Sequence, residues 1–278
     1  LSVEFSEGGV VVGDRSLSDT WEKGDPYERY VGRWSRQVAP AFVNWLNVPR
    51  AQRWLDVGCG TGALCAAIVE HGSPTSVTGV EPSEGFLEAA KKVLSGHAVF
   101  YRGDANAIPL EDASVDVVVS GLVLNFVPDQ PAALKEMIRV TTNQGIIGAY
   151  VWDYAGKMEL MRYFWDAALS LEPEATKLDE GVRFPLCCPD ALAELFAGAG
   201  LEKIDVTPID VPTPFESFEN YWQPFLGGQG PAPAYAMSLS EPARVRLRER
   251  IRERLPIQPD GSISLIARAW AVRSTVVR

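Results

Sequence analysis

Histidine is scarce, at two residues in 278, and basic side chains are outnumbered, 26 Lys and Arg against 36 Asp and Glu, for a formal charge of -10. The charge deficit argues against a polyphosphate partner, whose binding relies on many Lys and Arg contacts. Nucleic acid is therefore not expected as a substrate. The histidines, His71 before Gly72 at a helix end and His97 in a turn after Gly96, do not suggest a catalytic or metal-binding pair. Cysteine is limited to Cys59, Cys65, Cys187 and Cys188, whose spacing fits neither a zinc site nor a disulfide-stapled fold. No apolar run is long enough to cross a bilayer. The first residues carry Glu4 and Glu7 and lack a basic start followed by an apolar stretch, so they do not read as a secretory leader. A cytoplasmic protein with no membrane partner is the expectation.

What is present is an apolar content of 46% in a chain long enough for one large α/β domain with insertions and too short for two. Residues 1–24 mix Gly, Ser and acidic side chains without a period, and we expect a loosely held arm followed by a single domain over 25–278. Asp25 and Pro26 suit a helix start, with Tyr27, Tyr30, Val31, Trp34 and Val38 at helical spacing. Pro40 is expected to kink or end that helix, with a second starting at Ala41. Short apolar runs then alternate with helix-period segments, the signature of βαβ units. The strands predicted are Arg53–Val57, Ser76–Val80, Val99–Tyr101, Val115–Ser120, Ile146–Val151, Leu201–Val211 and Ile263–Val272. Val115–Val119 is apolar at nearly every position, which suits the sheet centre. The fold class expected is a doubly wound, Rossmann-like, mostly parallel seven-stranded α/β sheet. Its core would comprise 50–154, 186–211 and 262–273, with helical cap insertions at 155–185 and 212–261.

The strongest local signal is Leu55-Asp56-Val57-Gly58-Cys59-Gly60-Thr61-Gly62, where the first strand meets its helix. Glycines there let the backbone turn tightly and approach a ligand. Gly58, Gly60 and Ala63 also satisfy a loose dinucleotide fingerprint, so spacing alone leaves a nicotinamide cofactor open. Asp56 weighs against it, since a carboxylate beside a pyrophosphate repels it, whereas a ligand bearing an ammonium and a sulfonium prefers it. Glu81, about 20 residues on at the end of the second strand, stands where an acidic side chain takes ribose hydroxyls.

These residues resemble the class I S-adenosylmethionine-dependent methyltransferases, in particular a small-molecule subgroup similar to quinone-biosynthesis methyltransferases. The likeness covers Arg53 to Val151 well and the last strands more loosely. It implies methyl transfer from S-adenosylmethionine to a small molecule, leaving S-adenosylhomocysteine. By position, Asp56, Gly58, Cys59 and Gly60 would line the amino-acid and ribose part of the cofactor, Glu81 would hold the ribose, and Pro82 would pack near adenine. Asp104 would accept from the adenine amino group while the Ala105 N–H donates to the ring. Leu122, in Ser120-Gly121-Leu122-Val123-Leu124-Asn125-Phe126, would lie beneath the methionine part, and Tyr30, with Arg33 as second choice, would reach its carboxylate. Asn125, Trp152 and Trp222 are candidate substrate walls. That segment has no Asn-Pro-Pro-Tyr run, the signature of adenine and glutamine N-methyltransferases, so the resemblance does not point to nucleic acid.

Plainer readings stand beside these. Asp104 could simply initiate a turn, Tyr30 and Trp34 could pack on an apolar helical stripe, and the aromatic clusters of the insertions could form a core of their own. The arginines from Arg244 to Arg254 are interleaved with Glu249 and Glu253 at spacing that permits i,i+4 pairing, which reads as a solvated helix face. No catalytic residue and no metal ligand is assigned. A nicotinamide-dependent oxidoreductase and a non-catalytic S-adenosylmethionine-binding protein remain the rival functions, and the chain is expected to act as a monomer or homodimer.

Overall fold

The computed structural model of the chain describes residues 32–227 and 230–278. The arm over 1–24, the helix start at Asp25 and Tyr30 lie outside the described residues. Seven strands, β1 (Arg53–Val57), β2 (Ser76–Glu81), β3 (Val99–Arg102), β4 (Val115–Gly121), β5 (Thr141–Trp152), β6 (Glu202–Phe215) and β7 (Ile263–Thr275), form one sheet in the order β3-β2-β1-β4-β5-β7-β6. β1 to β5 run parallel, and β7 is antiparallel to both β5 and β6. The order reverses direction between β1 and β4, which opens a crevice beyond their carboxyl ends, the place where open α/β sheets bind ligands. β4 is buried along most of its length, as its unbroken apolar run requires.

Helices α1 (Arg33–Leu46), α2 (Ala63–His71), α3 (Glu84–Val93) and α4 (Gln130–Val140) flank this half of the sheet. Asp129 starts α4 by accepting from the Ala132 amide at 2.9 Å, with Pro131 in the first turn. In α1 the structure departs from expectation, because the helix runs unbroken through Pro40. Trp34, Val38, Phe42 and Leu46 make one buried stripe across that position. Burying four such side chains gives up to about 1.5–3 kcal/mol each, against about 3 kcal/mol for an interior proline.

Two strands are longer than their sequence patterns. β5 starts at Thr141 because backbone pairing at the sheet end, Gln144 N–H to the Val276 carbonyl at 2.8 Å and Val276 N–H to that of Gly145 at 2.9 Å, holds a polar stretch extended. β6 continues through Pro212 and Pro214 to Phe215. It is an edge strand, where a residue without an N–H costs no ladder bond on the open side, and Pro208, Pro212 and Pro214 are all exposed.

After β5 the chain forms α5 (Glu159–Leu171), a 3₁₀ segment over Pro173–Leu178 and the short α6 (Glu180–Arg183). α7 (Pro189–Gly198) leads into β6. Between β6 and β7 come α8 (Phe218–Trp222), α9 (Pro231–Ser238) and α10 (Glu241–Arg254). These helices share an aromatic core: Phe164 stacks on Phe225 at 4.6 Å, Trp165 meets Tyr235 at 5.6 Å, and the Tyr221 hydroxyl donates to the Leu160 carbonyl. On α10 Arg250 pairs with Glu253 and Arg252 with Glu249, both at i,i+3, and Arg248 pairs with the adjacent Glu249. Arg248 also reaches Glu219 of α8, and Arg252 lies over the Phe218 ring at 4.5 Å, so this face serves to fasten two helices. Among the described residues no helix is long and apolar enough to cross a membrane.

Candidate functional site

A cavity of about 1110 Å³, counting its open mouth, lies at the carboxyl ends of β1, β2, β4 and β5. Its floor is the β1–α2 loop, in which Gly58, Gly60 and Gly62 all have positive φ, at +74°, +54° and +90°. A Cβ on Gly58 would come within 2.5 Å of Val123 Cγ1, so the glycine is required there for space as well as conformation. The Gly58 and Cys59 amides both donate to the Val80 carbonyl, at 2.8 and 3.1 Å, which ties the loop to the end of β2.

Glu81 closes the same junction from the other side. Its Oε2 accepts the Gly60 amide and its Oε1 the Ser83 amide, each at 3.0 Å. Burial raises the carboxyl above its ordinary range, and the two amides hold it down in part. Each carboxylate oxygen accepts two hydrogen bonds, so both retain capacity toward the cavity.

Asp56, at the end of β1, is 1% exposed. Its Oδ2 accepts from the Cys65 thiol at 3.3 Å, while its Oδ1 is buried with no hydrogen-bond partner. Burial lifts its pKa to about 7, the Cys65 thiol opposes that, and the nearby Glu81 charge adds to it. Contact with Cys59, burial and the Asp56 charge in turn keep Cys65 a thiol. Asp56 lines the cavity, and its unpartnered Oδ1 keeps an unused capacity to accept a hydrogen bond.

Beyond β4, Leu122 carries a positive φ of 61°, uncommon for a branched side chain. Its amide donates to the Tyr150 carbonyl at 2.8 Å, which holds the turn. At the end of β5, Trp152 and Tyr154 face the cavity while Asp153 points away to accept from the Lys157 amide at 2.9 Å, an alternation set by the pleat. Phe126 and Phe184 meet edge to face at 5.0 Å, and Met161 completes an apolar side.

Of the residues predicted from sequence, Asp56, Gly58, Cys59, Gly60, Glu81, Leu122 and Trp152 line this cavity together. Pro82 is exposed, and its carbonyl accepts from Arg102 Nε at 3.3 Å. Asp104 is exposed and accepts from the Asn106 amide at 2.8 Å, the turn-forming role weighed against adenine recognition, with Ala105 in the same turn. Asn125 is buried under the β4 end outside the cavity wall, and Trp222 packs on Phe225 at 5.9 Å within the helical core. The residue that sequence reasoning passed over is Glu180. It is 2% exposed, lines the cavity from α6, and has one oxygen without a partner. A lone glutamate among the acidic residues of 159–180 carries no sequence signal of that placement.

The electrostatics of the cavity are one-sided. Asp56, Glu81 and Glu180 line it, and among the described residues no Lys, Arg or His does. Such a wall favours a ligand with positive charge and repels a pyrophosphate.

Comparison with known proteins agrees with this geometry. Residues 55–149 match the family model for a methyltransferase domain. The malonyl-[acyl-carrier protein] O-methyltransferase of Serratia marcescens is 38% identical over 112 residues, covering 40% of this chain and 43% of that protein. A demethylmenaquinone methyltransferase of Staphylococcus aureus is 39% identical over 105 residues, 37% of this chain and 44% of that protein. The chain thus spans less than half the length of these curated relatives. A solved methyltransferase-fold protein from an antibiotic biosynthesis pathway of Anabaena variabilis superposes with a TM-score of 0.60 at 20% identity, over 86% of this chain and 96% of its own, and so shares the fold.

Proposed function

We propose that this chain, whose residues 55–149 match the family model for a methyltransferase domain, transfers a methyl group from S-adenosylmethionine to a small molecule. The observation that carries the reading is the carboxyl-lined cavity at the glycine loop, to which no Lys, Arg or His contributes among the described residues. Asp56 Oδ1 would accept from the cofactor's ammonium, Glu81 would accept the two ribose hydroxyls with its remaining lone pairs, and Gly58 and Gly60 would let the backbone approach. When bound, S-adenosylmethionine supplies an activated methyl on a sulfonium whose leaving group departs neutral. The protein's share is to align an acceptor with that methyl and keep water out, and proximity of this kind is worth about 7–11 kcal/mol of barrier. Trp152, Tyr154, Phe126 and Phe184 supply the apolar wall for the acceptor. The helices of 155–185 and 212–261 act in this reading as a cap over the sheet, and four free thiols support a reducing compartment such as the cytoplasm.

The test is calorimetric titration with S-adenosylmethionine, S-adenosylhomocysteine and NAD. Binding of the first two without NAD is the expected result; NAD binding of equal strength would favour an oxidoreductase, and tight cofactor binding without turnover of any acceptor a non-catalytic role.

A further inference from the structure

Glu180 is a carboxyl that the fold has taken out of water and left half satisfied. The fully buried Trp165 donates its indole N–H to Oε2, which fixes the orientation of the group. Oε1 is buried and has no hydrogen-bond partner, and Glu180 is among the residues that line the cavity. A buried polar atom without a partner is costly and rare in folded proteins. The side chain is held by more than its own helix. Asp179, the residue before it, caps α6 through the Gly181 amide at 2.8 Å and is gripped by Arg162 through two contacts of 2.9 Å.

The cavity that Glu180 lines also has Phe126, Trp152, Tyr154, Met161 and Phe184 in its wall. Resting on the methyl-transfer reading above, we propose that Glu180 Oε1 is the proton acceptor for the molecule to be methylated, and that this molecule is an apolar, ring-sized compound whose nucleophile is a hydroxyl or amine bearing a proton. For a hydroxyl, the O–H bond breaks, its proton passes to Oε1 and the freed electron pair bonds the methyl carbon; for a neutral amine, the nitrogen's own lone pair bonds the methyl carbon and an N–H proton of the resulting ammonium passes to Oε1. In both, the carbon–sulfur bond returns its electron pair to sulfur, leaving a protonated Glu180 and a neutral thioether.

The proton affinity of the group suits the task. Burial pushes its pKa to about 7; its own backbone amide and the Trp165 N–H lower it, the Asp179 charge raises it, and Arg183 lowers it. Asp56 and Glu81 line the same cavity. A base titrating near neutrality both takes a proton and gives it up readily.

The experiment uses the full chain saturated with S-adenosylhomocysteine and two probe pairs, p-cresol with 4-methylanisole and 4-methylbenzylamine with 4-ethyltoluene, titrated by calorimetry. The wild type is expected to prefer the proton-bearing member of one pair by about tenfold or more, the size of a hydrogen bond to a charged acceptor. In Glu180→Gln that preference falls to about threefold or less, with S-adenosylhomocysteine affinity retained as evidence of folding. Glu180→Asp, a second variant that keeps the carboxyl, is expected to restore part of the preference. Preference within the phenol pair identifies a hydroxyl acceptor, and within the amine pair an amine. With an acceptor so identified, Glu180→Gln should also lose the acidic limb of the kcat/KM profile near pH 7, which a merely structural role would not move. No preference in either pair, or one that survives in Glu180→Gln, overturns the assignment. Failure of S-adenosylhomocysteine itself to bind the wild type overturns instead the methyl-transfer reading.

Discussion

Glu81 Oε2 accepts the amide of Gly60 at 3.0 Å across 21 residues of sequence, so one carboxylate both shapes the glycine loop and faces the cavity that the loop floors. Glu81→Ala removes the acceptor for two backbone amides and the proposed ribose contact together. Loss of charge-assisted hydrogen bonds of about 1.5–3 kcal/mol corresponds to an S-adenosylhomocysteine affinity reduced about ten- to a hundredfold. Glu81→Gln is expected to lose about tenfold, because its amide nitrogen presents a donor where a second acceptor is needed. A dissociation constant unchanged in both variants, measured by calorimetry, would remove Glu81 from the ligand site.

Gly58 and Gly60 share positive φ but differ in the space beside them, which separates two kinds of strain. A Cβ on Gly58 meets Val123 Cγ1 at 2.5 Å, whereas one on Gly60 meets nothing within 4 Å. Gly60→Ala should cost only the left-handed conformation, about 1–2 kcal/mol. Gly58→Ala adds overpacking of about 1–3 kcal/mol, and Gly58→Ala with Val123→Ala should recover that second part. Urea denaturation of the four proteins checks it, and a double variant no more stable than Gly58→Ala would show that the clash is relieved by other movement.

The raised carboxyls make stability depend on pH in an unusual direction. Asp56 and Glu180 both titrate at about 7 in the folded chain, against about 3.9 and 4.3 when unfolded. Between those values the native state holds protons that the unfolded state has released, so stability falls as pH rises from about 4 to 7 and then levels off. Asp116, held down to about 2 by the Arg53 guanidinium, adds stability above the unfolded carboxylate value and loses it as pH falls toward 2, which lies below this window. Asp56→Asn and Glu180→Gln should each flatten the slope between pH 5 and 7 in chemical denaturation. A cationic ligand favours the ionised form of Asp56, so S-adenosylmethionine binding should release protons near neutrality, read as a calorimetric enthalpy that varies with buffer. A wild-type stability that rises from pH 5 to 7 would contradict the burial argument.

Much of this architecture was legible because periodicity and punctuation agreed. The apolar run of Val115–Val119 marked the central strand, Asp129 and Pro131 marked a helix start, and the glycine run after Leu55-Asp56-Val57 marked the loop that floors the cavity. What failed to show had a tertiary cause. Pro40 sits inside a helix because a buried stripe outweighs one lost hydrogen bond, and Pro212 and Pro214 extend a strand because β6 lies at an edge. Neither circumstance can be read from the residues around the proline. In the site, the residues tied to strand ends were foreseeable, since Glu81 and Trp152 terminate their strands and Asp56 stands one residue before the end of β1. Glu180 was not, because its burial depends on tertiary packing, including the contact with Trp165 on another helix. Trp222 had the right composition for a wall, but its ring is taken up by Phe225.

Arg162 and Asp179 form the pair on which the position of Glu180 depends. Their side chains are 14% and 4% exposed, and Arg162 also donates to the Tyr154 carbonyl at 3.2 Å, so one guanidinium braces both sides of the apolar wall. Asp179→Ala leaves a buried cation without its partner, a loss of about 3–5 kcal/mol for isolated pairs. The exposed Asp166, still 2.9 Å from Arg162, absorbs part of this, and about 3 kcal/mol is expected. Asp179→Asn keeps an acceptor for the Gly181 amide while removing the charge, and should fall about halfway. Urea denaturation reads both. Because Trp165 donates to Glu180, its fluorescence should shift in Asp179→Ala under conditions where the chain remains folded. Wild-type stability in Asp179→Ala would mean that Arg162 is satisfied by Asp166 alone, and that Glu180 is held by the Trp165 contact without help from the turn before it.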